Sequence, residues 1–382
     1  MSTLKVNNIQ NANGTSAIAI DSSGVATFSK TLVPSSSMMY RNLIINGDMR
    51  IDQRNAGASV TLPSNNSYYT IDRFAFTINQ ASKMSAQQVT DAPTGFVNSL
   101  KVTTTSAYTV TASDYFSVRQ DIEGQNISHL DWGSSNAKTV TLSFYVKSSL
   151  TGTFGGSIKN SASDKAYPYT YTIDSANTWE RKTITIEGET TGTWLTTNGR
   201  GIMVYFGLGV GSTFSGTSGS WASSNYLSAT GATSVVGTSG ATWYVTGVQL
   251  EIGDAATPFE HRPYDAELAR CQRYYYKMSG ASNYLRFATG FVGAGSTTTA
   301  YCYFHPPVTM RDKPTSIDWS ASIGLWNGGA ISAISALAIE ASAASTTSVN
   351  LLVTSTGLTQ YTPMFVMGNN SSTASIAVSA EL

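Results

Sequence analysis

Val245-Thr246-Gly247-Val248-Gln249-Leu250-Glu251-Ile252-Gly253-Asp254, running on through Thr257-Pro258-Phe259-Glu260-His261-Arg262-Pro263-Tyr264, decides how this chain is read. Its first half is an apolar strand whose alternation falters at Gly247, the mark of a bulge. A Pro-containing exit follows, and Pro263 suits the start of a helix. Beyond it, Leu268, Cys271 or Gln272, and Tyr275 recur at helical spacing, which predicts a helix over Asp265 to Lys277. A helix of about three turns is marginal alone. Packing must hold it, against a sandwich or against copies of itself around a symmetry axis. The stretch therefore reads as the end of one β domain and the start of another.

Upstream, residues 41–262 hold strand candidates at regular spacing, which argues a β-sandwich. Val140, Leu142, Phe144 and Val146 alternate with Thr141, Ser143 and Tyr145. Ile202, Val204, Phe206, Leu208 and Val210 share one face of another strand. Phe116, Val118 and Ile122 do so in a third, Phe74, Phe76 and Ile78 in a fourth, Ile184 and Ile186 in a fifth. Residues 211–240, rich in Ser and Gly, read as long loops. Residues 1–40 form a separate unit of three short strands, with Asn13-Gly14 and Ser23-Gly24 as turns and Pro34-Ser35-Ser36-Ser37 as a linker. Three such strands cannot bury a core alone, so the unit reads either as a frayed terminus or as a docking arm, interleaved between subunits or plugged into a larger particle.

Downstream, 263–278 is the linker helix and 279–382 a smaller β-sandwich. There Leu285, Phe287, Thr289 and Phe291 are expected on one face, and Tyr301, Tyr303 and His305 opposite Ala300, Cys302 and Phe304. The stretch 330–344, rich in Ala, Ile and Ser, reads as strand and loop. The fold class is thus all-β with one short helix.

Composition agrees. Charged residues are 12% of 382, about half the usual share, while 11% are aromatic and 41% hydrophobic. Disordered chains show the opposite mix. The 23 basic and 23 acidic residues cancel, with no basic run, which argues against nucleic acid as a partner. Cys271 and Cys302 make no disulfide framework and read as free, buried apolar residues. The start of the chain lacks a signal layout, and no apolar run approaches the roughly 20 residues of a membrane helix. Synthesis in a reducing cytoplasm is expected.

No catalytic motif stands out. His129, His261 and His305 lie in three separate segments, and no metal-ligand spacing or cofactor loop is present. Gly207-Leu208-Gly209-Val210-Gly211 lacks the helix and the Lys-Ser/Thr of a phosphate loop, so its glycines read as sites of strand bending or close packing. Carboxylates for glycosidase chemistry exist as Asp121 and Glu123 around Ile122, near Asp131, and as Glu187 and Glu189 around Gly188. No pair distinguishes itself, and no catalytic residue is assigned. Aromatic side chains beside small polar residues suit sugar binding, because a ring face stacks on a pyranose. Trp179 and Trp243 lie inside strand patterns and read as core. Trp221 and Tyr226, in the Ser/Gly-rich loops, and Trp326, at a turn, are the candidate ligand-binding residues.

Several stretches resemble bacteriophage tail fibre and related virion proteins. They are Asn42-Leu43-Ile44-Ile45-Asn46-Gly47-Asp48-Met49-Arg50-Ile51-Asp52-Gln53-Arg54, Tyr69-Thr70-Ile71-Asp72-Arg73-Phe74, and the block from Gly247 to Tyr276. Phe304-His305-Pro306-Pro307-Val308-Thr309-Met310-Arg311, the closing Ile376-Ala377-Val378-Ser379-Ala380-Glu381-Leu382 and the opening Ser2-Thr3-Leu4-Lys5-Val6-Asn7-Asn8-Ile9 agree with this, the last being of marine phage type. The resemblance implies a jelly-roll sandwich similar to carbohydrate-binding modules, a helix, a variable distal β domain and a homotrimer. It implies attachment to phage tail or baseplate proteins through residues 1–40, and a host cell-surface glycan or outer-membrane receptor as the external partner. The implied setting is the virion tail, with no enzyme activity, cofactor or metal. A surface-polysaccharide depolymerase and a purely structural baseplate or head-decoration protein are the alternatives.

Overall fold

The computed structural model describes residues 8–10, 16–20, 22–23, 26–28, 40–280 and 282–382. The arm's Leu4, Val6 and Val25 and the 34–37 linker lie outside them. The chain forms two compact units, Met1–Arg41 and Asn42–Leu382. In the first, β1 (Asn8–Gln10), β2 (Ser16–Ile20) and β3 (Ala26–Phe28) make an antiparallel sheet.

The second unit begins with β4 (Val60–Thr61), β5 (Asn65–Ile71), β6 (Phe74–Ile78), β7 (Met84–Val89), β8 (Ser99–Thr104) and β9 (Tyr115–Glu123). It continues through β10 (Val140–Ser148), β11 (Gly152–Lys159), β12 (Ala166–Ile173), β13 (Glu180–Ile186) and β14 (Arg200–Val210). The short β15 (Ser215–Gly216) and β16 (Ser228–Ala229) precede β17 (Thr242–Ile252). Two six-stranded sheets result, ordered β13-β10-β17-β8-β7-β4 and β12-β11-β14-β9-β6-β5. Antiparallel pairing of non-sequential strands makes this a jelly-roll sandwich. Between the sheets lie Phe116, Val118, Phe144, Ile202, Phe206, Trp243 and Leu250, all essentially out of solvent.

The quoted strand, β17, lies inside the first sheet between β10 and β8. Gly247 has φ +62°, and the β10–β17 register slips opposite it, so the expected bulge is real. A side chain there would meet the Phe96 ring. The Gly207–Gly211 run likewise carries a register shift between Gly207 and Gly209. Trp243 is core, its indole N–H donating to the Tyr171 hydroxyl at 3.1 Å. Trp179 is not. It precedes β13 and lies half-exposed on the outer face beside Tyr244, with its N–H on Asp91 at 3.2 Å.

The helix α1 spans Tyr264–Gln272 and not the full stretch to Lys277. Tyr275–Ser279 is β18, paired with Ser375–Ser379. Helical spacing of Tyr275 was overridden by this pairing, which aromatic residues favour. The segment assigned to the linker helix therefore contains the first strand of the C-terminal sheets. The helix packs on the sandwich side, where Cys271 and Tyr274 are buried with Ile45 and Ile51.

Beyond β18 come β19 (Arg286–Val292), β20 (Thr299–Phe304), β21 (Ser316–Trp319), β22 (Ile323–Trp326) and β23 (Ile331–Ala333). The chain ends with β24 (Ala336–Ile339), β25 (Val349–Thr354), β26 (Pro363–Gly368) and β27 (Ser375–Ser379). A three-stranded sheet, β18-β27-β21, and a seven-stranded one, β23-β22-β26-β19-β20-β25-β24, share one core. Ala300, Cys302 and Phe304 point inward and Tyr301 and Tyr303 outward, as alternation requires. Phe287 and Phe291 do not share a face. A register shift between Arg286 and Ala288 buries Phe287 and Ala288 together and turns Phe291 out to solvent. Both cysteines are free and buried.

The motifs that carry the resemblance meet in space. Asn42 donates to the Val248 carbonyl at 3.1 Å and accepts from the Ile44 and Leu250 amides at 3.0 and 3.1 Å. Asn46, at φ 59°, spans the Ile51 amide and carbonyl and the Asp72 carbonyl. Buried Arg262 donates to the Ile44 carbonyl at 3.0 Å and pairs with Glu260 and Glu267 at 3.2 Å each. Buried Arg73 pairs with Glu381, donates to the Asp121 carbonyl at 2.6 Å and lies 3.5 Å from the Tyr274 ring centre. These residues form a polar hub where sandwich, helix and C-terminal strand join.

Candidate functional site

The outer face of the β12-β11-β14-β9-β6-β5 sheet carries a second set of side chains, alternating with those of the core. In β9, Phe116, Val118 and Ile122 point inward, so Tyr115, Ser117, Arg119, Asp121 and Glu123 point out. Register sets Arg119 beside Tyr205 of β14 and Ala75 of β6, Tyr205 beside Ser157 of β11, and Lys159 beside Met203. The loop after β14 then folds back over this face. Its Phe214 meets Tyr115 edge-on at 5.4 Å, and the Leu227 amide donates to the Phe214 carbonyl at 2.8 Å. Met203, Tyr205 and Leu227 are buried beneath it.

The result is a cleft of about 290 Å³, lined by residues including Asn66, Thr77, Tyr115, Arg119, Lys159, Arg200, Tyr205 and Asn225. Arg119 is locked in place. It donates to the Asn66 carbonyl and the Thr77 hydroxyl at 2.8 Å each, to the Ser67 hydroxyl at 3.0 Å and to the Tyr205 hydroxyl at 3.3 Å. Asp121 lies beneath with its side chain fully out of solvent, between Nε of Arg119 at 2.9 Å and Nε of Arg200 at 3.0 Å. Burial works against the charged form of Arg119, but Asp121 and Tyr205 hold its pKa above the ordinary value. Burial pushes the Tyr205 phenol up to about 12, so it stays a neutral hydroxyl.

Lys159 ends β11. The turn after it is set by Asn160, whose side-chain oxygen accepts from the Asp164 and Lys165 amides. That turn brings the Ser163 hydroxyl to 3.0 Å from Lys159 Nζ, and Asn225 accepts from the same ammonium. Lys159 is 4% exposed and has no ion pair among the described residues. Burial first, then the Arg119 charge, lowers its pKa to about 8.

The sequence-derived candidates lie elsewhere. Trp221 packs edge-on with Trp132 and Trp194 at 5.4 and 5.7 Å and gives its N–H to the Glu187 carbonyl at 2.8 Å. The Tyr226 ring lies over Gly216, although its neighbours Asn225 and Leu227 line the cleft. Trp326 is on the C-terminal sheet, 5.8 Å from Phe365, with the Arg286 guanidinium 5.2 Å above it. Three of the carboxylates weighed for catalysis, Asp121, Glu123 and Glu189, are held in internal contacts, while Glu187 is exposed. Asp121 is bridged as described, Glu123 binds Arg273 and the Tyr274 hydroxyl, and Glu189 binds Thr191. Among the described residues no group of three or more His, Cys, Asp and Glu is placed to hold a metal.

Sequence reading missed Arg119, Lys159, Arg200 and Tyr205. The available signal was charge inside otherwise apolar alternation, at Arg119 and Asp121, in a chain where charge is scarce. A second cavity, about 400 Å³, opens where β5 meets the C-terminal three-stranded sheet, between Tyr68, Tyr275, Lys277, Asp318 and Trp319. Arg54 lies against it, paired with Glu381 at 3.0 Å and stacked on Tyr275.

No known protein family matches the chain, and no curated protein is similar to it. Solved structures share the sandwich at a distance. The enzymatically active domain of bacteriophage CBA120 tailspike protein 4 matches at 14% identity and TM-score 0.31, over 56% of this chain and 22% of that one. A putative sugar binding protein from Bacteroides thetaiotaomicron matches at 13% identity and TM-score 0.34, over 56% and 100%. A family 11 carbohydrate-binding module from Clostridium thermocellum, in complex with a mixed-linked tetrasaccharide, matches at 13% identity and TM-score 0.26, over 53% and 98%. The chain thus spans about a fifth of the tailspike, and likenesses this distant carry no argument about function.

Proposed function

We propose that this chain is a glycan-binding attachment protein of a phage virion, a tail fibre that holds a host bacterial surface through the sheet-face cleft. One observation carries the reading: the cleft sets aromatic rings, hydroxyls, an amide and cations on a rigid sheet. Side chains presented from strands are held more firmly than side chains on loops, and sugar recognition needs ring faces beside fixed hydrogen-bonding groups. The virion setting, the homotrimer and the joining of residues 1–40 to tail or baseplate proteins belong to the same reading and rest on the motif resemblance. In a trimer, three shallow sites gain through effective concentration. The reading includes no turnover. A depolymerase needs two carboxylates across a bound sugar, and cations line this cleft.

The test uses labelled full-length chain, its oligomeric state fixed by light scattering, on a panel of bacterial cells and their purified surface polysaccharides. Binding that disappears after periodate oxidation of the glycan, with no reducing ends released, is expected. Binding indifferent to periodate would move recognition to a protein receptor. Released oligosaccharide would make the depolymerase the better account.

A further inference from the structure

Among the described residues Lys159 is an anomaly in a chain that otherwise pairs its buried cations. Lysine is almost never fully buried unless paired, and a buried ammonium without a counter-ion is costly. Elsewhere the buried cations have carboxylates: Arg73 has Glu381, Arg262 has Glu260 and Glu267, and Arg119 has Asp121. Lys159 has the neutral oxygens of Ser163 and Asn225. The groups around it from the neighbouring strands are Arg119, Arg200, Tyr205 and, beneath them, Asp121. The Lys159 ammonium lies 5.3 Å from the centre of the Tyr205 ring, and it lines an open cavity.

From this geometry we propose that the cleft takes an acidic sugar unit, a sugar ring bearing an anionic substituent, with that substituent on Lys159 and the ring beside Tyr115 and Phe214. The inference rests on the glycan-binding reading and narrows its ligand class. A ligand anion would supply the charge that the chain withholds. It would also favour the protonated lysine, so Lys159, depressed to about 8 in the free chain, should move up on binding. By linkage the affinity is level below pH 7 and falls as the pH passes 8, by up to about tenfold per unit. Added salt should weaken binding in the same way, by screening.

The experiment titrates the full chain with D-glucose, D-glucuronate and D-glucose 6-phosphate, which share one ring, with the galactose series in parallel and inorganic phosphate as the sugar-free anion. Calorimetry reads affinity, and side-chain NMR of Lys159 reads location. The acidic sugars are expected to bind at least about tenfold more tightly than the neutral ones, with the uronate and phosphate arms deciding which anion is preferred. Lys159→Gln should abolish that difference and the fall above pH 8. Should neutral and acidic sugars bind the cleft equally, the acidic class fails while the glycan reading stands. Should none bind, both fail. Orthophosphate binding as tightly as the sugar acids would reduce the site to an anion hole. Acid preference surviving in Lys159→Gln would place recognition elsewhere and overturn the proposal.

Discussion

The polar hub and the sheet-face cleft are made of the same residue types and end in opposite states. In the hub, Arg73, Arg262 and Arg273 each meet a carboxylate, and Asn42 and Asn46 use both ends of their amides. In the cleft, Asp121 serves Arg119 and Arg200 together, and Lys159 has no ion pair among the described residues. One strand, β9, serves both regions: Glu123 faces the hub, Arg119 the cleft, and Asp121 connects them through its carbonyl to Arg73. The difference teaches how to separate structure from function in such a shell. A buried charge whose partners all lie within the chain holds the fold together. A buried charge without a counter-ion, facing an open cavity, is available to something outside.

The largest effect is expected at Arg73. Arg73→Met removes one of the two cations on Glu381 and leaves Arg54 as the other, which should cost about 3 kcal/mol in urea unfolding, the low end for a broken buried pair. A loss under about 1 kcal/mol would mean that the hub does not differ from an ordinary surface pair, and the comparison would collapse. Asn46→Ala comes next. It removes three hydrogen bonds and puts alanine at φ 59°, for an expected loss of about 2–3 kcal/mol.

Lys159→Met should act in the other direction, stabilising the chain at pH 7 by about 1 kcal/mol while the preference for acidic sugars is lost. The sign follows from the depressed pKa. Lys159 titrates at about 8 in the folded chain, whereas the unfolded chain keeps that proton up to the ordinary lysine range. The wild type therefore gains stability as the pH rises from 8 into that range, and the advantage of the methionine variant shrinks over the same window. Destabilisation at pH 7 would show that the lysine's hydrogen bonds outweigh its desolvation. The smallest effect belongs to Trp326→Ala, a half-exposed site. A loss of about 1 kcal/mol with unchanged sugar binding keeps recognition in the cleft. Lost binding with a normal cleft would move it to the C-terminal sheet.

Much of this architecture was legible because alternation is local. Core faces at Phe116-Val118-Ile122 and Ile202-Val204-Phe206 read correctly, and so did the bulge at Gly247, since each depends on a side chain and its immediate neighbours. Errors arose where a distant partner decided the outcome. Tyr275 kept helical spacing, yet β27 claimed it as a strand residue. Phe291 kept strand spacing, yet a slipped register turned it outward.

The sequence alone determined that this is a chain of sheets, where most of its apolar faces lie, where turns and bulges fall, and that its charge is scarce and balanced. Tertiary structure decided which charges cancel. Ion pairing depends on distances of a few ångströms between strands far apart in sequence, such as Arg73 with Glu381. No local pattern encodes that closeness. For the same reason Lys159, one lysine among many in the sequence, becomes distinctive only once folding has buried it without an ion pair among the described residues.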